Sequence, residues 1–250
     1  MASIISVVIV NWNTLPWIQL YLEGIRQDET ETYGLLKITD VKLEVIVVDN
    51  ASTDGSLEYL TNLEKDGRIK LIANDRNLGY PRGLNQGLAL AEGDLLLSSN
   101  SDCEVLRPDA LSWILRVAQK HPKTLFGQQA TYLKDPPCFG YLQGHLIAFW
   151  RSFLEDVGWW REDFGLGFYE DVELSWRAMK NGYVPLELRL WPIFHHGARS
   201  YLYRDAGAID FPKLKEKNKA LFKDLVARND YEPRRPKWLS TNGSSPLPAR

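Results

Sequence analysis

Apolar runs that stop abruptly at polar residues are the feature that most constrains the fold of this chain. Residues 4–10 and 45–48 are rich in valine and isoleucine, as expected for strands that are covered on both faces. Further strand-like runs occupy residues 69–73 and 95–98, and helical patterns begin near Thr14 and cover residues 56–63 and 81–91. Four strands that alternate with three helices predict a parallel, doubly wound half of an α/β fold.

The second half of the chain has a less regular pattern. We expect helices over residues 108–120, 171–180 and 213–228, short strands within residues 124–150, and a strand over residues 183–190. Residues 27–41 are polar and acidic, which predicts a loop. Residues 231–250 are rich in proline, serine and arginine, which predicts a disordered tail.

Size and composition limit the class of protein. A chain of 250 residues can form one α/β domain with a large core. The formal net charge of −2 gives no basic field for nucleic acid. Two cysteines, Cys103 and Cys138, form no disulfide framework and fit a reducing compartment. Because no apolar stretch reaches about 20 residues and residues 4–10 lack a preceding basic region, we expect a cytoplasmic protein without a signal peptide.

Polar side chains follow two of the predicted strands at the point where each strand ends. Asp49 follows the second strand, and Asn100, Ser101 and Asp102 follow the fourth. Ligands of open α/β sheets bind at the carboxyl ends of strands, so these side chains are candidates for a nucleotide site. Asp102 can bind a hard divalent cation, and Asp49 can accept from a uracil or thymine imide or from a ribose. The alternative is ordinary turn chemistry, for which these residue types are also favoured.

Three further features have both a functional and a structural interpretation. Arg76 or Arg82 can reach a base or a diphosphate, or both are solvated arginines near a helix start. The pair Glu170-Asp171 begins a predicted helix, where an acid either acts as a general base or complements the helix dipole. The pair His195-His196 either completes a metal site or is structural. The residue types alone leave both interpretations open.

Five motifs follow one another along the chain. They are residues 7–13 (Val-Val-Ile-Val-Asn-Trp-Asn), 48–56 (Val-Asp-Asn-Ala-Ser-Thr-Asp-Gly-Ser), 77–80 with 85–87, 168–177 (Phe-Tyr-Glu-Asp-Val-Glu-Leu-Ser-Trp-Arg) and 194–200 (Phe-His-His-Gly-Ala-Arg-Ser). In this order they resemble the GT-A glycosyltransferases, specifically glycosyltransferase family 2 and its rhamnosyltransferase-like branch, over roughly residues 4–205. The resemblance implies the GT-A fold, an α/β, Rossmann-like and mostly parallel sheet flanked by helices.

The resemblance also implies roles for individual residues. Asp171 is the expected catalytic base with Glu170 beside it, and Asp49 is expected to contact the nucleobase. The other residues that we assign to the nucleotide-sugar donor are Asn11, Asn13, Ser52, Asp54, Asn77, Gly79, Arg82, Asn85, Asn100 and Ser101.

A Mn²⁺ or Mg²⁺ ion is the cofactor that the resemblance implies. Asp102 matches the metal-binding end of a DxD-type motif, and by register His195, rather than His196, is the last metal ligand. The chain departs from the motif at Asn100, where the family has an acid. A neutral amide adds no charge to the site, so we expect weak metal affinity in the absence of nucleotide.

The implied function is inverting, metal-dependent transfer of a sugar from a UDP- or dTDP-type donor to a hydroxyl of a glycan, glycolipid or other acceptor. We expect one domain over residues 1–230, with a nucleotide-sugar half (1–102), an acceptor and catalytic half (103–205) and a C-terminal helix (206–230). The alternative is a non-catalytic nucleotide-sugar- or glycan-binding relative. A dinucleotide-dependent oxidoreductase is disfavoured because no glycine-rich turn follows the first strand.

Two segments bear on the acceptor. Aromatic side chains precede the acidic pair, where they either stack on sugar faces or belong to the core; they are Trp159, Trp160, Phe164, Phe168 and Tyr169. The lysines of the helix over residues 213–228 predict either peripheral contact with an anionic membrane, which suits a lipid-linked acceptor, or a solvated helix face.

Overall fold

A mostly parallel sheet flanked by helices forms the body of the protein. The computed structural model describes residues 3–30, 41–188, 190–197 and 209–239, with the backbone alone at residue 3, residues 26–30 and residue 41. The strands are β1 (Ser3–Asn11), β2 (Val41–Asp49), β3 (Lys70–Ala73), β4 (Leu95–Asn100), β5 (Cys103–Val105), β6 (Thr124–Gly127), β7 (Ala130–Leu133), β8 (Phe139–Leu142), β9 (Leu146–Trp150), β10 (Val184–Glu187) and β11 (Ile193–His195). The helices are α1 (Leu15–Thr30), α2 (Ser56–Lys65), α3 (Tyr80–Leu90), α4 (Ala110–Ala118), α5 (Ser152–Asp156), α6 (Glu170–Lys180) and α7 (Phe211–Ala227), with a 3₁₀ turn over Glu162–Phe164.

Strand order places the polar strand ends side by side. The main sheet has the order β10-β6-β9-β4-β1-β2-β3, in which β9 runs antiparallel to both of its neighbours and the other pairs are parallel. In the central strand β1, Asn11 pairs with Asp49 and Val10 pairs with Asn100. The ends of β1, β2 and β4 therefore meet at one edge, as the strand pattern predicts.

Both faces of the sheet are buried, which explains the uninterrupted apolar strands. Val7 and Ile9 belong to the cluster under α1 and α4, whereas Val8 and Val10 belong to the opposite cluster with α3 and α5. The expected α/β class with a mostly parallel sheet is thus confirmed.

Helix α3 lies unusually close to β1 because two of its residues are glycines. A Cβ added at Gly87 would lie 2.3 Å from a methyl carbon of Val8, and one added at Gly83 would lie 3.0 Å from Val10. Two glycines four residues apart on a helix permit either close packing of the helix or close approach of a ligand, and in this structure they permit close packing.

The sequence pattern misplaces two boundaries before β2. Helix α1 continues to Thr30 and β2 begins at Val41, so the predicted loop over residues 27–41 is wrong at both ends. Residues 27–30 are polar but contain no glycine or proline, and polarity alone does not end a helix. Residues 31–40 lie outside the described part of the chain.

The predicted disordered tail is wrong for residues 231–239. The backbone N–H of Trp159 donates to the carbonyl of Arg234 at 2.9 Å, and the Trp238 indole N–H donates to Glu162 Oε1 at 2.8 Å. Leu239 is buried. An aromatic and a leucine within the proline-rich segment provide apolar surface to bury, which its composition obscures. Residues 240–250 lie outside the described part of the chain.

Candidate active site

A cleft of about 560 Å³ opens at the carboxyl ends of β1 and β4. Its first wall includes Asn50, Asn77, Asn100, Ser101 and Asp102, and its second wall includes Gly144, Phe168, Tyr169, Glu170 and Asp171. The cleft thus brings together six of the residues predicted for the site: Asn77, Asn100, Ser101, Asp102, Glu170 and Asp171. The strand ends supply one wall, and the start of α6 supplies the other.

A hydrogen-bond network joins the three strand ends under the first wall. Asn11 Nδ2 donates to Asp49 Oδ2 at 2.8 Å, and the Thr14 hydroxyl donates to Asn11 Oδ1 at 2.7 Å. The hydroxyls of Thr14 and Ser101 lie 2.6 Å apart. The Asn11–Asp49 bond links the ends of β1 and β2, and the Thr14–Ser101 contact links the segments that follow β1 and β4, so a shift of any one of these strands would disturb the whole wall.

The loop after β2 is shaped by residues that we assigned to the donor. Asp49 is fully buried and accepts from both the backbone N–H and the hydroxyl of Ser52. Asn13 accepts from the Thr53 N–H, and Asp54 accepts from the N–H groups of residues 15 and 56. In this structure these side chains stabilise the loop through hydrogen bonds to backbone N–H groups.

Three residues that we assigned to the donor have other contacts in this structure and are not among those that line the cleft. Arg82 lies 3.6 Å from Glu162 and near the Trp238 ring, and Asn85 bonds the backbone of Trp160 and the Glu162 carboxylate. Gly79 is required by close packing, since a Cβ there would lie 2.0 Å from the Gly165 carbonyl oxygen. Motif spacing alone does not tell which side of a helix faces the cleft.

Asp102 and His195 form the pair that fits a divalent cation. Asp102 Oδ1 lies 3.0 Å from His195 Nε2, and Asn100 Nδ2 lies 3.2 Å from the same nitrogen. Adjacent ligands of an octahedral ion with bonds of about 2.1 Å would lie about 3.0 Å apart, so the pair has the spacing of two such ligands. The described residues contain no cluster of three His, Cys, Asp or Glu side chains that could hold a metal ion.

The neighbouring histidine has a different partner. His196 Nε2 lies 2.8 Å from Glu104 Oε2, and its ring packs on Trp17 at 4.3 Å between centroids. Successive residues of a strand point to opposite faces, so β11 directs only His195 toward Asp102. The choice of His195 over His196 agrees with this geometry.

His145 is a site residue that the sequence did not reveal. Its ring stacks on His195 at 4.2 Å and an angle of 4°, and its Nε2 lies 3.0 Å from Gln128 Oε1. Burial, followed by the nearby His195, lowers the pKa of His145 to about 3, so this ring is neutral at physiological pH. A neutral ring can stack on His195 and fix its plane without repelling a cation.

The acidic pair at the start of α6 is held by backbone groups. Asp171 Oδ2 accepts from the Gly144 N–H at 2.9 Å, and Oδ1 accepts from the Val172 N–H at 2.8 Å. Burial raises the pKa of Asp171, although these N–H groups oppose the shift. Burial and the neighbouring Asp171 raise the pKa of Glu170 to about 8. A pKa of about 8 keeps Glu170 mostly protonated at neutral pH, whereas the two N–H donors favour the ionised form of Asp171.

The aromatic segment divides between cleft and core. Phe168 and Tyr169 line the cleft, whereas Trp160 and Phe164 are buried in the core and Trp159 packs against it. The core interpretation therefore holds for Trp160 and Phe164, and Phe168 and Tyr169 remain the candidates for stacking on a sugar.

The lysines of α7 do not form one free strip. Lys219 Nζ lies 2.8 Å and Lys223 Nζ lies 3.6 Å from the same Asp135 carboxylate oxygen, and Lys215 lines the cleft. Within the described part of the chain, no helix has the length and apolar character needed to cross a membrane.

A protein-family comparison agrees with this geometry. The sequence model of Glycosyl transferase family 2 matches residues 6–162, which is more than half of the chain. The chain belongs to glycosyltransferase family 2. The family match covers the strand ends and Asp102, whereas Asp171 and His195 lie beyond it.

Curated relatives of this family 2 glycosyltransferase include an uncharacterized glycosyltransferase of Haemophilus influenzae. It is 32% identical over 137 residues, which cover 54% of this chain and 39% of the relative. A poly-beta-1,6-N-acetyl-D-glucosamine synthase of Staphylococcus epidermidis is 23% identical over 170 residues, which cover 58% of this chain and 40% of the relative. The chain thus matches about two fifths of the length of each relative.

Solved structures share the GT-A fold. The mannosyltransferase PcManGT of Pyrobaculum calidifontis, in complex with GDP-Man and Mn²⁺, has a TM-score of 0.59 at 21% identity and covers 75% of this chain and 55% of its own. S. aureus TarS, in complex with UDP-GlcNAc, has a TM-score of 0.61 at 17% identity, and the match covers 89% of this chain and 66% of the TarS chain. GalNAc-T7, with UDP, GalNAc and Mn²⁺, has a TM-score of 0.63 at 16% identity, and the match covers 92% of this chain and 52% of the GalNAc-T7 chain.

Proposed function

We propose that this glycosyltransferase moves a hexosyl or deoxyhexosyl unit from a UDP- or dTDP-type nucleotide sugar to a hydroxyl of a glycan, glycolipid or other acceptor, with inversion. The observation that carries the proposal is the placement of two acids in one cleft. Asp102 lies beside an imidazole on the strand-end wall, and Asp171 lies on the α6 wall with its carboxylate held by two N–H groups.

The strand-end wall suits the donor. Asn77, Asn100 and Ser101 offer amide and hydroxyl groups to ribose and phosphate oxygens at the edge where open α/β sheets bind nucleotides. Asp102 and His195 would hold a Mn²⁺ or Mg²⁺ ion, which supplies positive charge for the departing diphosphate. The solved neighbours in complex with GDP-Man, UDP-GlcNAc or Mn²⁺ support this assignment.

The opposite wall suits the acceptor. Asp171 takes the proton from the acceptor hydroxyl while that oxygen attacks the anomeric carbon, the C–O bond to the diphosphate breaks, and the bonding electrons leave with the diphosphate. Attack from the face opposite the leaving group gives inversion, for which one base is sufficient. Phe168 and Tyr169 offer aromatic surface beside this base for an acceptor sugar.

A ligand and product assay tests the proposal. We expect UDP or dTDP sugars to raise the melting temperature in the presence of Mn²⁺, because a ligand of the folded state stabilises it. Incubation of the stabilising donor with an acceptor panel should give a product whose anomeric configuration, measured by NMR, is opposite to that of the donor. A retained configuration would contradict inversion. Nucleotide binding with neither transfer nor slow donor hydrolysis would favour the non-catalytic alternative.

A further inference from the structure

We infer that Asn218 of α7 is a positioning residue for Asp171: its side-chain amide anchors the loop that begins α6. The inference rests on the proposed function for the role of Asp171 as base. Asn218 follows the last recognised motif and lies 47 positions beyond Asp171 in the chain, as their numbers show. None of the site assignments above includes it.

The Asn218 amide meets three backbone carbonyls of one loop. The side chain is 1% exposed, and Nδ2 donates to the carbonyl oxygens of Phe164 at 2.7 Å, Gly167 at 2.7 Å and Phe168 at 3.1 Å. Three acceptors around one atom require the NH₂ end of the amide on this side, so its two hydrogens are shared among them. Among the described residues, Asn218 Oδ1 has no hydrogen-bond partner. The side chain is therefore arranged for the loop carbonyls at the expense of its own oxygen.

The anchored loop has a backbone that needs such support. Gly165, Gly167, Phe168 and Tyr169 all have positive φ values, at 63°, 140°, 69° and 69°. For Phe168 and Tyr169 this conformation is unfavourable and persists only where the surroundings impose it. The Asn218 amide satisfies the carbonyls that this unusual path turns inward.

The loop leads directly into the acidic pair. Tyr169 is the residue that caps α6, and its carbonyl accepts from the Glu173 N–H at 2.9 Å to close the first turn. Asp171 belongs to this turn, and its carboxylate must reach the Gly144 N–H on the connection between β8 and β9. A loop that relaxed from positive φ would turn the start of α6 and withdraw the carboxylate from that N–H.

Helix α7 is a firm support for the anchor. Phe222, one turn after Asn218, is 1% exposed and packs on the rings of Tyr169 and Trp176, each at 6.0 Å between centroids. The aromatic packing and the amide thus bind α7 to the same loop, the first through side chains and the second through backbone carbonyls.

Two variants of Asn218 and a matched control test the inference. Asn218→Asp keeps the shape of the side chain but replaces the N–H donor by an oxygen that faces three carbonyl oxygens. Asn218→Ala removes the side-chain amide. Leu225→Ala, on the same helix and fully buried, destabilises α7 without removing a hydrogen bond to the loop. We expect both Asn218 variants to lower kcat about 10- to 100-fold, because a misplacement near 1 Å has effects of this size. Their Mn²⁺-dependent affinity for UDP should stay within about twofold, since they remove an orienting contact rather than a donor contact.

Two further readouts separate positioning from loss of fold. The acid limb of the kcat–pH profile should move in both Asn218 variants, because the environment of Asp171 changes, and amide exchange of residues 165–169 should accelerate. Leu225→Ala should retain kcat and the position of that limb at temperatures below its melting transition. If Asn218→Asp and Asn218→Ala match Leu225→Ala in kcat at equal loss of melting temperature, the inference is wrong.

The same set distinguishes the inference from the proposed function. Near-normal turnover of Asp171→Asn would exclude Asp171 as the catalytic base. The anchoring of the loop by Asn218 would then be tested by amide exchange alone. Unchanged exchange of residues 165–169 in Asn218→Ala would then overturn the anchor by itself. An inactive Asp171→Asn together with fully active Asn218 variants would overturn only the inference.

Discussion

Two adjacent carboxyl groups in the cleft have different surroundings. Glu170 is enclosed by protein, one of its oxygens has no hydrogen-bond partner among the described residues, and burial raises its pKa to about 8. Asp171 has two N–H donors that favour its ionised form. The two N–H groups thus favour the proton-accepting form at Asp171, and no such pair of donors from Gly144 and Val172 serves Glu170.

Replacement of Asp171 by asparagine separates binding from transfer. We expect Asp171→Asn to lose at least about 100-fold in transfer rate, because general-base help is worth about 10²–10⁴. Nucleotide affinity, measured by calorimetry with UDP and Mn²⁺, should be unchanged. Asp163→Asn, which alters a largely exposed acid of the preceding turn, is the matched control and should transfer at the normal rate. Normal transfer by Asp171→Asn would exclude Asp171 as the catalytic base.

Glu170 makes stability depend on pH. Its folded-state pKa is raised, so the folded protein binds an additional proton between the ordinary glutamate pKa and about 8. This stabilisation is complete below the ordinary pKa and is lost as the pH rises through 8. The melting temperature should therefore fall from pH 5 to pH 9 more steeply in the wild type than in Glu170→Gln. Parallel melting profiles for the two proteins would contradict the assignment.

Asn100 provides a test of the metal pair. Asn100→Asp adds the missing acid 3.2 Å from His195 Nε2 in the present structure, so we expect tighter Mn²⁺ binding without nucleotide, by about tenfold, from the added ligand charge. Asp102→Ala should abolish the effect of Mn²⁺ on nucleotide binding. Titration calorimetry with and without UDP measures both changes, and identical metal titrations for wild type and Asp102→Ala would exclude Asp102 as a ligand.

Close packing of α3 on β1 is a property of these two elements rather than of the site. A methyl group at Gly87 meets Val8 at 2.3 Å, so we expect Gly87→Ala to reduce the free energy of unfolding by about 1–3 kcal/mol in spite of the helix propensity of alanine. Chemical denaturation measures the change. Gly140→Ala is the matched control, because its new methyl group finds only the Thr131 carbonyl oxygen at 3.9 Å, and it should be nearly neutral. Equal stability of the two variants would refute a packing role for Gly87.

Elements with a strong local pattern were predicted from the sequence, and elements made by distant contacts were not. The apolar runs of β1 and β4 predicted buried strands, and β9 lies within residues 124–150, where short strands were predicted. The β5–β11 pair joins residues 103–105 to residues 193–195, and no local periodicity indicates that pairing. The end of α1 was missed because a polar segment can remain helical.

The site shows the same division. Asp102, Asp171 and Asn77 were found because they follow strand ends or begin a helix within recognisable motifs. His145, Tyr80 and Asn218 were missed because each acts through a partner far along the chain; the Tyr80 hydroxyl, for example, donates to the Gly144 carbonyl at 2.7 Å. Arg82 and Asn85 were assigned to the donor but contact Glu162 and Trp160 in this structure, because a helix motif specifies residue types, whereas tertiary packing decides which face meets the cleft.

At the scale of the whole molecule, one sheet crosses the boundary between the two predicted halves. Strand β9, from the second half, pairs with β4 of the first half and with β6 of its own. We therefore expect the described body of the protein to unfold in a single cooperative transition, with equal calorimetric and van't Hoff enthalpies. Two resolved transitions in scanning calorimetry would show that the halves fold independently.

The short β5–β11 ribbon determines which of two imidazoles lies beside Asp102. Cys103 pairs with His195, and the His196 N–H donates to the Asp102 carbonyl at 2.9 Å, so adjacent histidines are sent to opposite sides of a ribbon three residues long. Loss of one residue just before Ile193 would put His196 in the place of His195 beside Asp102 and Gly197 in the place of His196, so that Glu104 would lose its partner. The length of the connection before Ile193 thus determines which histidine occupies the proposed metal position.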